Sequence, residues 1–227
     1  MPWGTLINTA AVLVGSLLGL LLHRRYPQRI KEIVFQGIGL FTLIIGMSMA
    51  LKAANFLQLV FSILLGGILG EGLRLDQRIE SLGERLKKLF RSQNSRFIDG
   101  LVTAFLLFCV GSMTIIGAID EGLRGDRTLL LTKSLMDGFS SIALASTFGG
   151  GVAVSALFLF LFQSSITLLA GYLENVFTSF MLMQITAIGG ALILGIGINL
   201  LELRSLRVIN LLPSLLIGVI LALIFPG

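Results

Sequence analysis

The sequence predicts an all-α fold: a polytopic transmembrane helical bundle of about eight spans, with one amphipathic helix on the cytoplasmic side. Three observations predict it. First, apolar residues make up 55% of the 227 residues and charged ones 13%, and mean hydropathy is +0.96. Soluble domains carry about 25% charge, so a chain this apolar could not cover its own surface in water. Second, the charges cluster and leave uncharged stretches at 2–22, 33–51, 53–70, 100–119, 138–173, 175–201 and 208–227, against the roughly 20 apolar residues that a spanning helix needs. Third, Gly is abundant (27) and Pro scarce (4), and small residues let helices approach closely in lipid.

The expected spans lie near 3–22, 33–51, 54–73, 98–119, 130–148, 152–173, 178–201 and 208–225, in a single integral membrane domain covering 1–227. Six of the seven uncharged stretches fit one span each. Stretch 138–173 is too long for one helix and is interrupted by Gly149-Gly150-Gly151, so it reads as two spans. The first of these begins upstream near Leu129 and includes Lys133 and Asp137; a short re-entrant segment is its alternative. No Lys or Arg precedes the first apolar run and no small-residue cleavage site follows it, so no cleavable signal peptide is expected.

Charge sets the expected topology. With spans alternating, thirteen of the 17 basic residues, in segments 24–31, 74–96 and 204–207, fall on one side. Lys52, Arg124, Arg127 and Lys133 fall on the other. This positive-inside bias places both termini outside. It also accounts for the pI near 9.9 without a nucleic-acid partner, and it suits anionic lipid headgroups.

One segment departs from the spanning pattern. Over 74–91, Leu75, Ile79, Leu82, Leu86 and Leu89 recur in steps of four and three, drawing one apolar stripe down a helix. Charged residues fill the other faces, Lys87 and Lys88 among them, and Glu84–Lys88 forms a supportive i,i+4 pair. Such a helix lies on the membrane surface or docks a partner, including a second copy of the chain. Ser92-Gln93-Asn94-Ser95 then reads as a polar linker.

Small residues at packing spacing, Gly15 and Gly19, Gly66 and Gly70, Ala191 and Gly195, predict close helix crossings, and Gly-rich faces leave room for a homodimer. Gly15–Gly19 resembles Gly66–Gly70, and Ile45–Met49 resembles Val110–Thr114; a true repeat would favour a transporter, although Gly-rich apolar strings also match by chance. The single cysteine, Cys109, lies in an apolar run and reads as packing.

Candidate chemistry concentrates in Gly111–Ser141. Lys133 and Asp137 share a helix face, at a depth where one charge costs about 2.5–3.5 kcal/mol on insertion scales. Ser112, Ser134, Ser140 and Ser141 extend the polar surface. Two readings apply: a structural ion pair with Lys133 snorkelling, or a substrate- or ion-binding pair. Asp120 and Glu121 end the fourth span, where adjacent carboxylates oppose the helix dipole. They line an outer mouth or pair with Arg124, Arg127 or Lys133. Glu71 ends the third span and Asp99 caps the start of the fourth. The break at Gly149, Gly150 and Gly151 is a place for backbone groups to coordinate ligand.

Enzyme chemistry is not expected. His23 is the sole histidine, so neither a Ser-His-Asp triad nor a multi-histidine metal site can be assembled. HExxH, Walker A and GxGxxG patterns do not occur. No cofactor and no metal site is expected.

With these features in view, the sequence resembles a bacterial inner-membrane family of the YdfK/YqgA type, catalogued as domain of unknown function 554. The resemblance covers nearly the whole chain. It rests on GTLINTAAVLVGSLLGLLL, GILGEGLRLDQRIESLGERL, VGSMTIIGAIDEGLRGD and KSLMDGFSSIALASTFGGGV. It implies no catalytic residues and only a general transporter label. The expected function is a secondary transporter or exporter of a small solute or ion, with its binding region at spans four to six. The alternatives are a non-transporting scaffold whose polar cluster is structural, and an ion channel.

Overall fold

The computed structural model describes residues 2–25, 28–89, 96–173 and 177–225, except for the side chains at 23–25, 28, 30, 31, 34, 35, 82, 83 and 86–89. His23, the linker Ser92–Ser95 and the side chains of Leu82, Leu86, Leu89, Lys87 and Lys88 therefore lie outside the described residues. Helices occupy α1 (Trp3–Arg25), α2 (Gln28–Ala50), α3 (Phe56–Gly72), α4 (Leu75–Leu89), α5 (Phe97–Cys109) and α6 (Ser112–Arg124). They continue through α7 (Thr128–Phe148), α8 (Gly151–Leu168), α9 (Ala170–Leu173), α10 (Ser179–Leu200), a 3-10 turn (Val208–Leu211) and α11 (Ser214–Ile224). No strand occurs among the described residues. The fold is all-α.

Among the described residues, length and composition make three helices able to cross a membrane, Trp3–Leu22, Gly151–Leu168 and Ser179–Leu200, or five if each of two bent pairs counts as one span. The expected count of eight is not reached on those grounds. Gln36–Ala50 and Val208–Ile224 are shorter apolar segments, and α7, although 21 residues long, carries Lys133 and Asp137 in its middle.

Two breaks shape the helices. The expected fourth span at 98–119 is not one helix: α5 and α6 meet at 57°. Val110 ends α5 and Gly111, in an extended conformation, starts α6. The Thr114 hydroxyl bridges the break by donating to Phe108 O at 2.7 Å. The second break joins α3 to the amphipathic α4 at 63°, where Arg74 adopts a left-handed conformation (φ 49°). Leu75 and Ile79 are half-buried on α4, while Arg78, Glu80 and Arg85 are exposed. The sixth expected span also stops early, α8 ending at Leu168, and the eighth opens with the 3-10 turn before Pro213.

The chain divides into two compact units, one built from 1–34 and 90–177, the other from 35–89 and 178–227. In the first, α1 and α7 run parallel in close contact. Gly4 lies against Leu130, Gly15 against Gly138 and Ser141, and Gly19 against Ile142 and Ala145. A Cβ at Gly15 would collide with Gly138 O and Ser141 Oγ, so the packing role expected of Gly15 and Gly19 is a matter of backbone approach. The bent α5–α6 pair runs parallel to α8: Phe97 and Leu101 meet Gly151, and Gly122 meets Thr167. In the second unit α2 lies antiparallel to α10, Gly39 meeting Leu201 and Gly46 meeting Gly190. Likewise α3 lies antiparallel to α11 and the 3-10 turn, with Gly66 on Ser214 and Gly70 on Asn210.

Candidate functional site

The first unit holds a buried polar cluster halfway along α7. That helix starts from a local lock: Gly125, in a left-handed conformation (φ 68°), ends α6, and Asp126 accepts from the Thr128 amide (2.9 Å) and hydroxyl (2.7 Å). These bonds hold the exposed Asp126 carboxyl below its ordinary value. Two turns further on, Lys133 Nζ lies 2.7 and 2.6 Å from Asp137 Oδ1 and Oδ2. Both side chains are buried, at 6% and 4% exposure. Helical i,i+4 spacing puts them on one face, and burial makes each the other's necessary partner.

The neighbouring helices complete the cluster. On α1, Asn8 Nδ2 donates to Asp137 Oδ2 (3.1 Å) and to Gln163 Oε1 of α8 (3.4 Å). On α5, the Phe108 ring lies under the Lys133 ammonium at 5.9 Å, a cation–π contact. Phe108 is one residue from the end of α5, just before the break. The Ser134 hydroxyl is occupied within α7, donating to Leu130 O at 2.7 Å.

Several polar atoms here lack a protein partner. Among the described residues, seven buried side-chain polar atoms make no hydrogen bond, and all seven belong to the first unit. Asn8 Oδ1 and Gln163 Nε2 are in the cluster itself. Thr5 Oγ1 lies one turn before Asn8 on α1, and Thr167 Oγ1 one turn after Gln163 on α8. Glu121 Oε2 is a fifth, and Glu121 Oε1 accepts from the amide of Gly4, the residue before Thr5, at 2.6 Å. Buried polar groups ordinarily find a partner in protein or water, so this concentration marks a place built to meet something polar.

The residues singled out by sequence separate into several places. Lys133 and Asp137 pair with each other. Glu121 is buried and faces Arg127 Nε at 3.4 Å, whereas Asp120 pairs with Arg124 at 2.8 Å nearer the surface. Ser112 is the first residue of α6, at the break, and Ser140 is half-buried. Ser141 donates to Gly138 O at 2.7 Å within the α1–α7 crossing. Gly149, Gly150 and Gly151 connect α7 to α8, with Gly149 at φ 75° and Gly151 packed on Phe97 O. They lie twelve residues past Asp137, about 18 Å along the helix, and are not in this cluster. Asn8 and Gln163 were not anticipated; each is the sole carboxamide in its apolar helix, which is the signal that finds them.

In the second unit, Glu71 accepts from Arg207 and from Asn210 Nδ2 (2.7 Å), while Asn210 Oδ1 accepts from the Asp76 amide (2.7 Å). This fastens the start of α4 to the 3-10 turn. No group of three or more His, Cys, Asp or Glu side chains able to hold a metal occurs among the described residues.

Residues 3–223 match the family described as "Protein of unknown function (DUF554)". The chain is 36% identical over 219 residues to the uncharacterized membrane protein YdfK of Bacillus subtilis (strain 168), spanning 95% of this chain and 93% of that one. It is 33% identical over 223 residues to the uncharacterized protein YqgA of Escherichia coli (strain K12), spanning 96% and 95%. No solved structure matches it. The chain belongs to the DUF554 family.

Proposed function

We propose that this member of the DUF554 family is a secondary transporter or exporter of a small solute or ion, with its binding region around Lys133 and Asp137. The observation that carries the reading is the combination at one place of a buried ion pair, two buried carboxamides with unpartnered atoms, and a broken helix. Intramembrane ionisable residues mark ion and substrate pathways, and transporter sites are built at discontinuous helices. Asp137 is the cation- or proton-binding group, Lys133 its charge partner, and Asn8 and Gln163 orient them.

The proposed setting is a bacterial inner membrane crossed eight times, both termini outside, with α4 at the headgroups. The four pair directions support this: α1 with α7 and α5–α6 with α8 are parallel, while α2 with α10 and α3 with α11 are antiparallel, as eight alternating crossings require. The charge bias supports the orientation. A scaffold reading draws on the completeness of the Lys133–Asp137 pair, since each charge already has its partner.

Uptake or release of ions and small metabolites by vesicles containing the purified protein tests the proposal. A solute moved by the wild type and not by Asp137→Asn supports it. Unchanged movement by Asp137→Asn counts directly against it.

A further inference from the structure

We infer that a proton route joins Glu121 to Asp137 through the interior of the first unit, making the proton the species exchanged at the site proposed above; the inference rests on that reading. Glu121 and Asp137 are two buried carboxylates on different helices. A row of polar groups on α1 runs from one to the other, and a second row on α8 runs beside it. On α1 the row runs from Gly4, whose amide holds Glu121 Oε1, through Thr5 to Asn8, which donates to Asp137. On α8 it runs from Thr167, next to Gly122, to Gln163, which accepts from Asn8. Each row covers about 6 Å of helix rise, and i,i+3 or i,i+4 spacing keeps its members on one face.

Both rows are lined by atoms with nothing to bind in the protein: Thr5 Oγ1, Asn8 Oδ1, Gln163 Nε2, Thr167 Oγ1 and Glu121 Oε2. Threonine hydroxyls on apolar helices usually return to their own backbone, as Thr9 and Thr186 do. Thr5 and Thr167 do not. A polar site with several such partners holds water, and a chain of hydroxyls, amides and water passes protons.

Among the described residues, the charged and titratable groups facing the two ends are few. Glu121 faces Arg127, with the Asp120–Arg124 pair on its own helix. Asp137 faces Lys133 on α7 and Asn8 on α1, which in turn reaches Gln163 on α8, with Cys109 of α5 nearby. A proton taken up at the end the charge bias places outside binds Glu121 Oε2, then passes along the rows to Asp137. Glu121 returns to carboxylate and Asp137 becomes the acid. Lys133 stays protonated and loses its counter-charge, so the pair goes from net zero to plus one. An unpaired buried ammonium is strongly unfavourable, and that imbalance favours return of the proton along the rows to the Glu121 carboxylate, which restores the pair.

Infrared spectroscopy of the purified full-length protein after an acid pH jump reads the arrival of the proton as a protonated-carboxyl band. The expected result is a band assigned to Asp137 by its loss in Asp137→Asn, absent or slowed in Glu121→Gln. It is also slowed in Thr5→Val/Thr167→Val, which keeps wild-type thermal stability because neither hydroxyl bonds to protein. No Asp137-dependent band in the wild type, or arrival at wild-type speed in both test variants, overturns the route. A missing band alongside solute transport that Asp137→Asn abolishes overturns the route alone; loss of both overturns the site as well.

Discussion

Asn8 and Asp137 meet at 3.1 Å across the crossing of α1 and α7, although 129 residues separate them in the chain. Asn8 is fully buried and also reaches Gln163, so one carboxamide joins three helices. Replacing Asn8 by Ala strips Asp137 of a bond and leaves Gln163 Oε1 without its donor. The expected loss is about 1–3 kcal/mol, read as an earlier unfolding midpoint, together with loss of any ligand-induced stabilisation. Asn8→Asp should be worse, because it sets a second carboxylate against Asp137.

The Lys133–Asp137 pair should behave as a unit. Lys133→Met or Asp137→Asn alone strands or weakens a buried charge interaction, and each should cost about 3–5 kcal/mol. The double variant should recover much of that loss. A double-mutant cycle on unfolding free energies measures the coupling; additive losses would mean that the two charges do not depend on each other.

Glycine substitutions should divide by what the added methyl meets. Gly15→Ala forces a Cβ onto Gly138 O and Ser141 Oγ, both in the face of α7, and overpacking of this kind costs about 1–3 kcal/mol. Gly37 on α2 has nothing within 4 Å of its would-be Cβ. Gly37→Ala should be neutral or stabilising by about 0.5–1 kcal/mol, since Ala has the better helix propensity. Thermal midpoints of the two variants settle the contrast.

Asn210 should control α4. Its side chain binds Glu71 and the Asp76 amide at once, so Asn210→Ala removes both ties. Hydrogen exchange should rise over the first turns of α4 and at the 3-10 turn while α3 and α10 keep their protection. Unchanged exchange in α4 would show that its apolar stripe alone fixes it.

Much of this architecture is written in local pattern. Long uncharged runs between clustered charges announce the helices, Lys133 and Asp137 announce each other by spacing, and Gly15 with Gly19 announces a crossing. What was not legible is tertiary or subtle. The break at Val110–Gly111 is invisible to hydropathy, because both sides are apolar and a lone Gly inside a helical run is tolerated. Asn8 and Gln163 carry no charge, so they pass for isolated polar residues until folding brings them to Asp137. The division into units interleaved along the chain comes from which helices pack together, and no local signal reports that. The break at Gly149–Gly151 was legible, and it is the turn between α7 and α8.

On the proposed function, the buried cluster at Asp137 binds a ligand. Thermal stability of the purified protein against a panel of ions and small metabolites, beside Asp137→Asn, tests it most directly. A ligand that binds only the folded protein adds about 2.7 kcal/mol at a hundredfold excess over its Kd. The expected result is a saturable shift for at least one compound in the wild type and none in Asp137→Asn. A wild type that responds to no compound would overturn the proposal and leave Lys133–Asp137 a purely structural pair, since destabilisation of Asp137→Asn is expected on either reading.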